Sequence, residues 1–259
     1  MTSTNPVPAG EDLRRVRAAS FDSGAAVYSR VRPTYPREAV AWITADPAEP
    51  GRAPRVIDLA AGTGKLTARL VEAGGDVLAV EPSDAMRAEL SATLPQVPAV
   101  SGTAEQIPVD DGVVDGVVVA QAWHWFDAEA ACREIARVLR PGGRLGVLWN
   151  VRDHTVDWVA RFTEIIHRGD DLGSSHGPPL LSEDFTDVEH ADFPWADRIR
   201  TTALRDLAAS RSHVLTLPED EREALLDDVD ALARTHPDLA RRDEVALPYV
   251  TRCWRARRR

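Results

Sequence analysis

From Arg55 the chain reads RVIDLA, then AGTGK, then LTARLVEAG: a short apolar run carrying an acid, a glycine-rich turn, and an amphipathic stretch that ends on Gly74 and Gly75. Such a unit cannot bury its apolar faces alone and has to be stacked beside others like it. The sequence supplies them. DVLAVEP is a second strand ending in an acid, and SDAMRAELSATLP is a second helix with Ser83 or Asp84 as its cap. A short strand near PAVSG follows, then the β-branched run VVDGVVVAQA and the helix DAEAACREIARVLR. That helix is stopped by Pro141-Gly142-Gly143, and RLGVLWNV is a fifth strand. Strand and helix alternate over roughly a hundred residues, which predicts an α/β fold with a doubly wound, parallel sheet and helices on both faces.

Beyond Val151 the pattern is weaker. TVDWVARFTEIIHR, LRDLAASRSHVL and PEDEREALLDDVDALARTH have helical spacing, while FTDVEHADF and ADRIRTTAL read as strands. EVALPYVTRCWRA reads as a last strand, with Pro248 marking a bulge or an edge. We divide the chain into an N-terminal helical lid (1–54), a core (55–151), and a C-terminal part of the same domain with pocket insertions and the last strands (152–259).

Composition narrows the function classes. A net charge of -10 argues against a nucleic-acid partner, whose phosphates need a basic surface. The exception is the tail from Arg252 to Arg259, which we read as a frayed, solvated terminus. The first ten residues lack the basic start and apolar run of a secretory signal, and no apolar stretch approaches the ~20 residues of a membrane span. A cytoplasmic protein without a membrane partner is expected. The two cysteines and seven histidines form no metal-type spacing, so no metal is expected. Cys132 is read as a buried thiol.

Three features point to a nucleotide-type cofactor. In the turn Asp58-Leu-Ala60-Ala-Gly62-Thr63-Gly64 the glycines let a ligand approach the backbone, and the helix that follows offers free N–H groups. Glu81 ends the next strand, where an acid accepts hydrogen bonds from a ribose diol; Pro82 and Ser83 follow it. These features suit NAD as well as S-adenosylmethionine (SAM). The segment Gly102-Thr103-Ala104-Glu105-Gln106-Ile107-Pro108 and the later Pro-Gly-Gly stop favour SAM.

With that segment in place, the chain resembles the class I SAM-dependent methyltransferases, especially the methyltransferase type 11 group, from about Phe21 to Val151. The resemblance implies a Rossmann-like, seven-stranded sheet, mostly parallel with one antiparallel strand near Val245 to Cys253. It implies SAM as cofactor and S-adenosylhomocysteine as product. Asp58, Gly62 and Gly64 match the family's first motif, and Ala60 stands where it usually has a glycine. By resemblance Glu81 holds the ribose hydroxyls, Met86 lines the adenine face, and Thr103, Ala104 and Glu105 frame the adenine edge. Met86 serves equally well as plain helix-to-sheet packing. The motif Tyr28-Ser-Arg30-Val-Arg32-Pro33-Thr-Tyr35-Pro36 resembles its counterpart in the trans-aconitate methyltransferase-like branch. There Tyr28 and Arg32 approach the methionine carboxylate or the substrate, and an arginine's fork suits a carboxylate.

The fourth strand runs into Gln121-Ala122-Trp123-His124-Trp125. Ligands in such sheets sit beyond the carboxyl ends of the strands. Gln121 and Ala122 are therefore expected at the cofactor, and Trp123, His124 and Trp125 at the acceptor. His124 has the pKa range of a general base, or it caps a helix and orients a tryptophan. Asn150 and Arg152, at the end of the fifth strand, are acceptor-contact candidates or loop caps. Trp158, Phe162, Phe185 and Trp195 either wall the acceptor pocket or fill the core. The expected activity is methyl transfer to a small molecule (a carboxylate, hydroxyl, amine or carbon acceptor) by a monomer or homodimer. The alternatives are a non-catalytic SAM-binding protein, an NAD(P)-dependent oxidoreductase, and a methyltransferase acting on tRNA or protein.

Overall fold

The computed structural model describes residues 31–45, 53–170 and 177–259. Helix α1 (Arg37–Thr44) precedes an alternating series: β1 (Arg55–Leu59), α2 (Lys65–Glu72), β2 (Asp76–Val80), α3 (Asp84–Thr93), β3 (Ala99–Val100), β4 (Val114–Ala120), α4 (Ala128–Val138) and β5 (Leu139–Arg152). A 3-10 turn (Trp123–Trp125) joins β4 to α4. The C-terminal part contains α5 (Asp157–Ile166), β6 (Phe185–Arg200), α6 (Ala203–Ala209), α7 (Ser212–Leu215), α8 (Glu219–Thr235) and β7 (Glu244–Arg258).

The seven strands lie in the order β3-β2-β1-β4-β5-β7-β6. The first five pair in parallel, and β7 runs antiparallel to both of its neighbours. Side-chain alternation divides the core into two layers. Val56, Val118 and Leu148 pack with Ile43, Leu70 and Leu90 on one face. Ile57, Val117 and Val147 pack with Ile135 and Val138 on the other. Strands covered on both faces have no polar side, which explains their near-continuous apolar sequence. A third cluster, with Phe162, Leu204, Val229 and Leu247, holds α5, α6 and α8 against the far ends of β6 and β7.

Side-chain caps start two of the helices, at Ser83 as the sequence predicts and at Asp127. The Ser83 side chain accepts from Met86 N–H, and Asp127 accepts from the N–H groups of Glu129 and Ala130. Three expectations need correction. β6 is one continuous strand rather than two, because its whole length pairs with β7, and the Thr-Ala-Leu end of the predicted second strand turns into α6. β5 begins at Leu139, so Pro141-Gly142-Gly143 lies inside the strand; Gly142 takes a left-handed conformation (φ 76°) there. The arginine-rich tail is not a frayed terminus. It is the end of β7, where Arg255 lies 4.2 Å over the Trp42 ring and 2.7 Å from Glu189, and Arg258 donates to the Leu139 carbonyl. These partners hold the guanidinium groups and their stems on the sheet.

Helix α1 approaches β5 at a glycine. A methyl group built on Gly146 would lie 2.3 Å from Cγ1 of Ile43, which is itself almost fully buried. Gly146→Ala should therefore cost about 1–3 kcal/mol through overpacking, read as a lower midpoint in urea. An unchanged midpoint would show that α1 is free to move away from the sheet.

Candidate active site

Two cavities open beyond the carboxyl ends of the strands, on either side of Gln121. The first has a volume of about 300 Å³ and is largely apolar. Ala60, Gly62, Glu81 to Ser83 and Met86 line one side; Thr103, Glu105, Ala120 to Ala122, Trp125 and Phe126 line the other. The second, of about 320 Å³, is polar, and its lining includes Arg32, Lys65, Gln121, Asn150, Arg152, His167, Arg211 and Tyr249. Gln121 lines both and sits in the left-handed region at φ 61°. An L-residue there costs energy and persists where the surroundings hold it. Its side chain donates to the Asn150 carbonyl at 3.3 Å, and its own N–H donates to the Leu148 carbonyl at 2.9 Å.

The apolar cavity is organised by Glu81, which is buried just beyond β2. One carboxylate oxygen accepts from Gly62 N–H and the other from Ser83 N–H, both at 2.9 Å. A carboxylate only accepts, so hydroxyls are the ligand groups that this side chain suits. Gly62 has a left-handed φ of 57°, and a methyl group added there would meet open space, which leaves the turn's backbone accessible. Ala60 also takes a left-handed φ, 56°. This explains why a glycine is the ordinary choice at that position: a side chain there is strained. Met86 packs at the cavity wall from α3, and Trp125 and Phe126 face it from the turn after β4. The lining thus fits an adenosine: a buried acid that accepts hydrogen bonds, an apolar slot, and a glycine backbone open to the ligand.

Other residues of the motif are placed differently. Asp58 lines neither cavity; it is buried beneath the turn and accepts a 2.6 Å hydrogen bond from Thr67. Burial and the nearby charge of Glu81 push its carboxyl up to about 7, against the Thr67 hydrogen bond. Ala104 and Gly64 line neither cavity, and the Thr63 hydroxyl is buried without a hydrogen-bond partner among the described residues. Trp123 packs into the core against Phe126. His124 lines neither cavity and sits against Trp125 and Trp149 with its ring tilted to both, at 4.3 and 5.3 Å between ring centres. Tyr28 lies outside the described residues. Trp158, Phe162 and Phe185 are core residues, and Trp195 stacks on Tyr249.

Asn150 and Arg152 do reach the polar cavity. Asn150 is held at both ends of its amide: it accepts from Thr251 Oγ1 at 2.6 Å and donates to the Thr34 carbonyl at 2.8 Å, which ties the segment before α1 to the sheet. Arg32 reaches across to the Ser210 carbonyl. Arg152 is opposite Tyr249 in the β5–β7 register. Its Nε donates to Thr163 Oγ1 at 3.0 Å, and its guanidinium lies 5.5 Å over the Phe162 ring. Arg211, His167 and Tyr249 were not singled out from the sequence. They come from α5's end, the α6–α7 link and β7, and only the fold brings them together.

A family model described as a methyltransferase domain matches residues 57–147. An uncharacterized methyltransferase of Mycobacterium tuberculosis is 50% identical over 243 residues, covering 94% of this chain and 97% of that protein. An uncharacterized methyltransferase of Schizosaccharomyces pombe is 31% identical over 237 residues, covering 90% of this chain and 94% of that protein. Among solved structures, a protein of Anaeromyxobacter dehalogenans assigned as a type II methyltransferase superposes with a TM-score of 0.66 at 23% identity, covering 88% of this chain and 97% of that one.

The state of Asp58 sets a pH dependence. Its folded pKa lies above the unfolded value of about 4, so the native state holds the extra proton and the unfolded state releases it. Stability should fall as pH rises from about 4 to about 7 and then level off, the ionised carboxylate costing up to about 4 kcal/mol. Asp58→Asn should remove that slope and raise the melting temperature more at pH 8 than at pH 5. An equal effect at both values would mean that Asp58 is ionised throughout.

Proposed function

The chain belongs to the class I SAM-dependent methyltransferases, and on that premise we propose that it transfers a methyl group from SAM to a small-molecule acceptor held in the polar cavity. The observation that carries this reading is the pair of cavities meeting at Gln121, one suited to an adenosine and the other to a polar ligand. When bound, SAM supplies an activated methyl group on a sulfonium sulfur. The acceptor's lone pair takes that methyl, and the sulfur keeps the electrons of the broken bond.

The protein's part is placement. Glu81 receives the ribose hydroxyls, while Met86, Trp125 and Phe126 enclose the adenine between apolar surfaces. Thr103 and Glu105 stand at its edge. Gln121, held in a strained backbone conformation, fixes the boundary where donor and acceptor meet. Fixing two reactants in one orientation and excluding water accounts for a large share of a displacement barrier. A general base is required only for an acceptor that must lose a proton. His124, packed against two tilted rings and outside both cavities, fits the role of orienting Trp125 better than that of base.

Calorimetric titration with SAM, S-adenosylhomocysteine and NADH tests the cofactor assignment. Binding of the first two alone is expected; binding of NADH alone would overturn it. Glu81→Ala should weaken S-adenosylhomocysteine at least about tenfold, since hydrogen bonds to a charged group contribute about 1.5–3 kcal/mol each. Unchanged affinity in a folded variant would remove Glu81 from the ribose.

A further inference from the structure

The chain contains thirty arginines and a single lysine, Lys65. Wherever else it places a long basic side chain it uses a guanidinium. The two groups differ in one respect that matters at a reacting centre. A guanidinium stays charged in a protein, whereas a desolvated ammonium gives up its proton far more readily. The one amine side chain stands directly after Gly64 in the glycine-rich turn, as the first residue of α2. It lines the polar cavity together with Gln121, which also lines the cavity that fits an adenosine.

Lys65 is half-buried, and no hydrogen bond or ion pair holds its nitrogen among the described residues. Burial lowers its pKa from that of a free ammonium; Asp197 on β6 opposes the shift and Arg69 on α2 adds to it. Helix α2 has no acid in its first turn, and the positive pole of its dipole lies at Lys65, which further disfavours the charged form. The other titratable groups of the cavity are poorer bases. Arg32 before α1, Arg152 on β5 and Arg211 after α6 are guanidiniums. Tyr249 on β7 is buried, and burial holds its phenol protonated. His167, at the end of α5, has Nε2 taken up by Arg211 at 3.0 Å and Arg152 at 3.4 Å. His154, between β5 and α5, is exposed, and burial of part of its ring and the charge of Arg152 make it a weaker base than a free imidazole.

We propose that Lys65 is the general base of this protein, and that the methyl acceptor presents a hydroxyl or an amine whose proton has to leave. The proposal rests on the methyltransferase reading. The Lys65 lone pair takes the proton from the acceptor's oxygen or nitrogen. The acceptor's own lone pair forms the bond to the methyl carbon, the sulfur keeps the electrons of the bond that breaks, and the Lys65 ammonium passes its proton to solvent when product leaves. A positive sulfur bound in the neighbouring cavity disfavours a second cation beside it, so binding of the donor itself promotes the neutral amine. A carboxylate acceptor, already ionised, requires no such residue.

A single lysine makes the test direct. The whole chain, grown with lysine carrying 13C at Cε, has one labelled amine, and its NMR signal is followed against pH in the free protein, with S-adenosylhomocysteine and with SAM. The midpoint should lie below that of free lysine measured alongside, and lower with SAM than with S-adenosylhomocysteine, which lacks the positive sulfur. A midpoint at the free-lysine value throughout, or equal midpoints with the two ligands, would overturn the proposal. Transfer of labelled methyl from SAM into the small-molecule fraction of a bacterial extract is then compared for Lys65→Met, Lys65→Arg and His154→Gln, with melting temperatures to confirm folding. Both Lys65 variants should lose at least about a hundredfold in rate while binding S-adenosylhomocysteine as the unaltered chain does. Rescue by arginine would show a role for charge alone, loss confined to His154→Gln would move the base to that ring, and loss of S-adenosylhomocysteine from both Lys65 variants would give the amine to the cofactor; each overturns the proposal. The midpoints decide even where the extract supplies no acceptor. Binding of neither SAM nor S-adenosylhomocysteine to the unaltered chain would sink the methyltransferase reading itself, whatever the midpoint of Lys65.

Discussion

The carboxylate of Glu81 is the joint of this molecule. It ends β2, yet it receives one N–H from the turn after β1 and another from the cap of α3. Three separate pieces of chain are thereby fixed around one charge. The glycine-rich turn is open to a ligand because Glu81 holds Gly62 in place, and α3 presents Met86 because its first turn is tied to Ser83. A charge buried to this degree is tolerated because backbone N–H groups stabilise it. The neighbouring Asp58 is the cost of the arrangement: two carboxylates lie near each other, and the more deeply buried one shifts toward its neutral form.

The parallel half of the fold was legible in the sequence because each of its elements is decided locally. β-branched runs, glycine turns and caps such as Ser83 and Asp127 act within a few residues of themselves. The same locality made Glu81, Gly62 and Met86 readable as one side of a cavity. The C-terminal half was harder. β6 and β7 are long strands whose length depends on their pairing with each other, and neither their composition nor their alternation announces it. The tail misled for the same reason: five arginines look like a solvated end until Trp42, Glu189 and the Leu139 carbonyl are brought beside them.

The polar cavity shows this limit most sharply. Arg152 was visible as a strand-end residue, but Arg211 and His167 are ordinary polar residues in helical stretches. Their meaning arises only when the α6–α7 link is folded over the end of β5. Arg152 and Arg211 repel each other across the cavity, and only the fold brings them that close. His124 shows the reverse case. Its neighbourhood in sequence suggested chemistry, and the fold sets it against Trp125 and Trp149, outside both cavities.

The most direct test of the account is a crystal structure of the protein with S-adenosylhomocysteine. The account predicts the ribose hydroxyls on Glu81, the adenine between Met86 and Phe126, and the sulfur directed toward Gln121. A nucleoside bound away from Glu81 would contradict it.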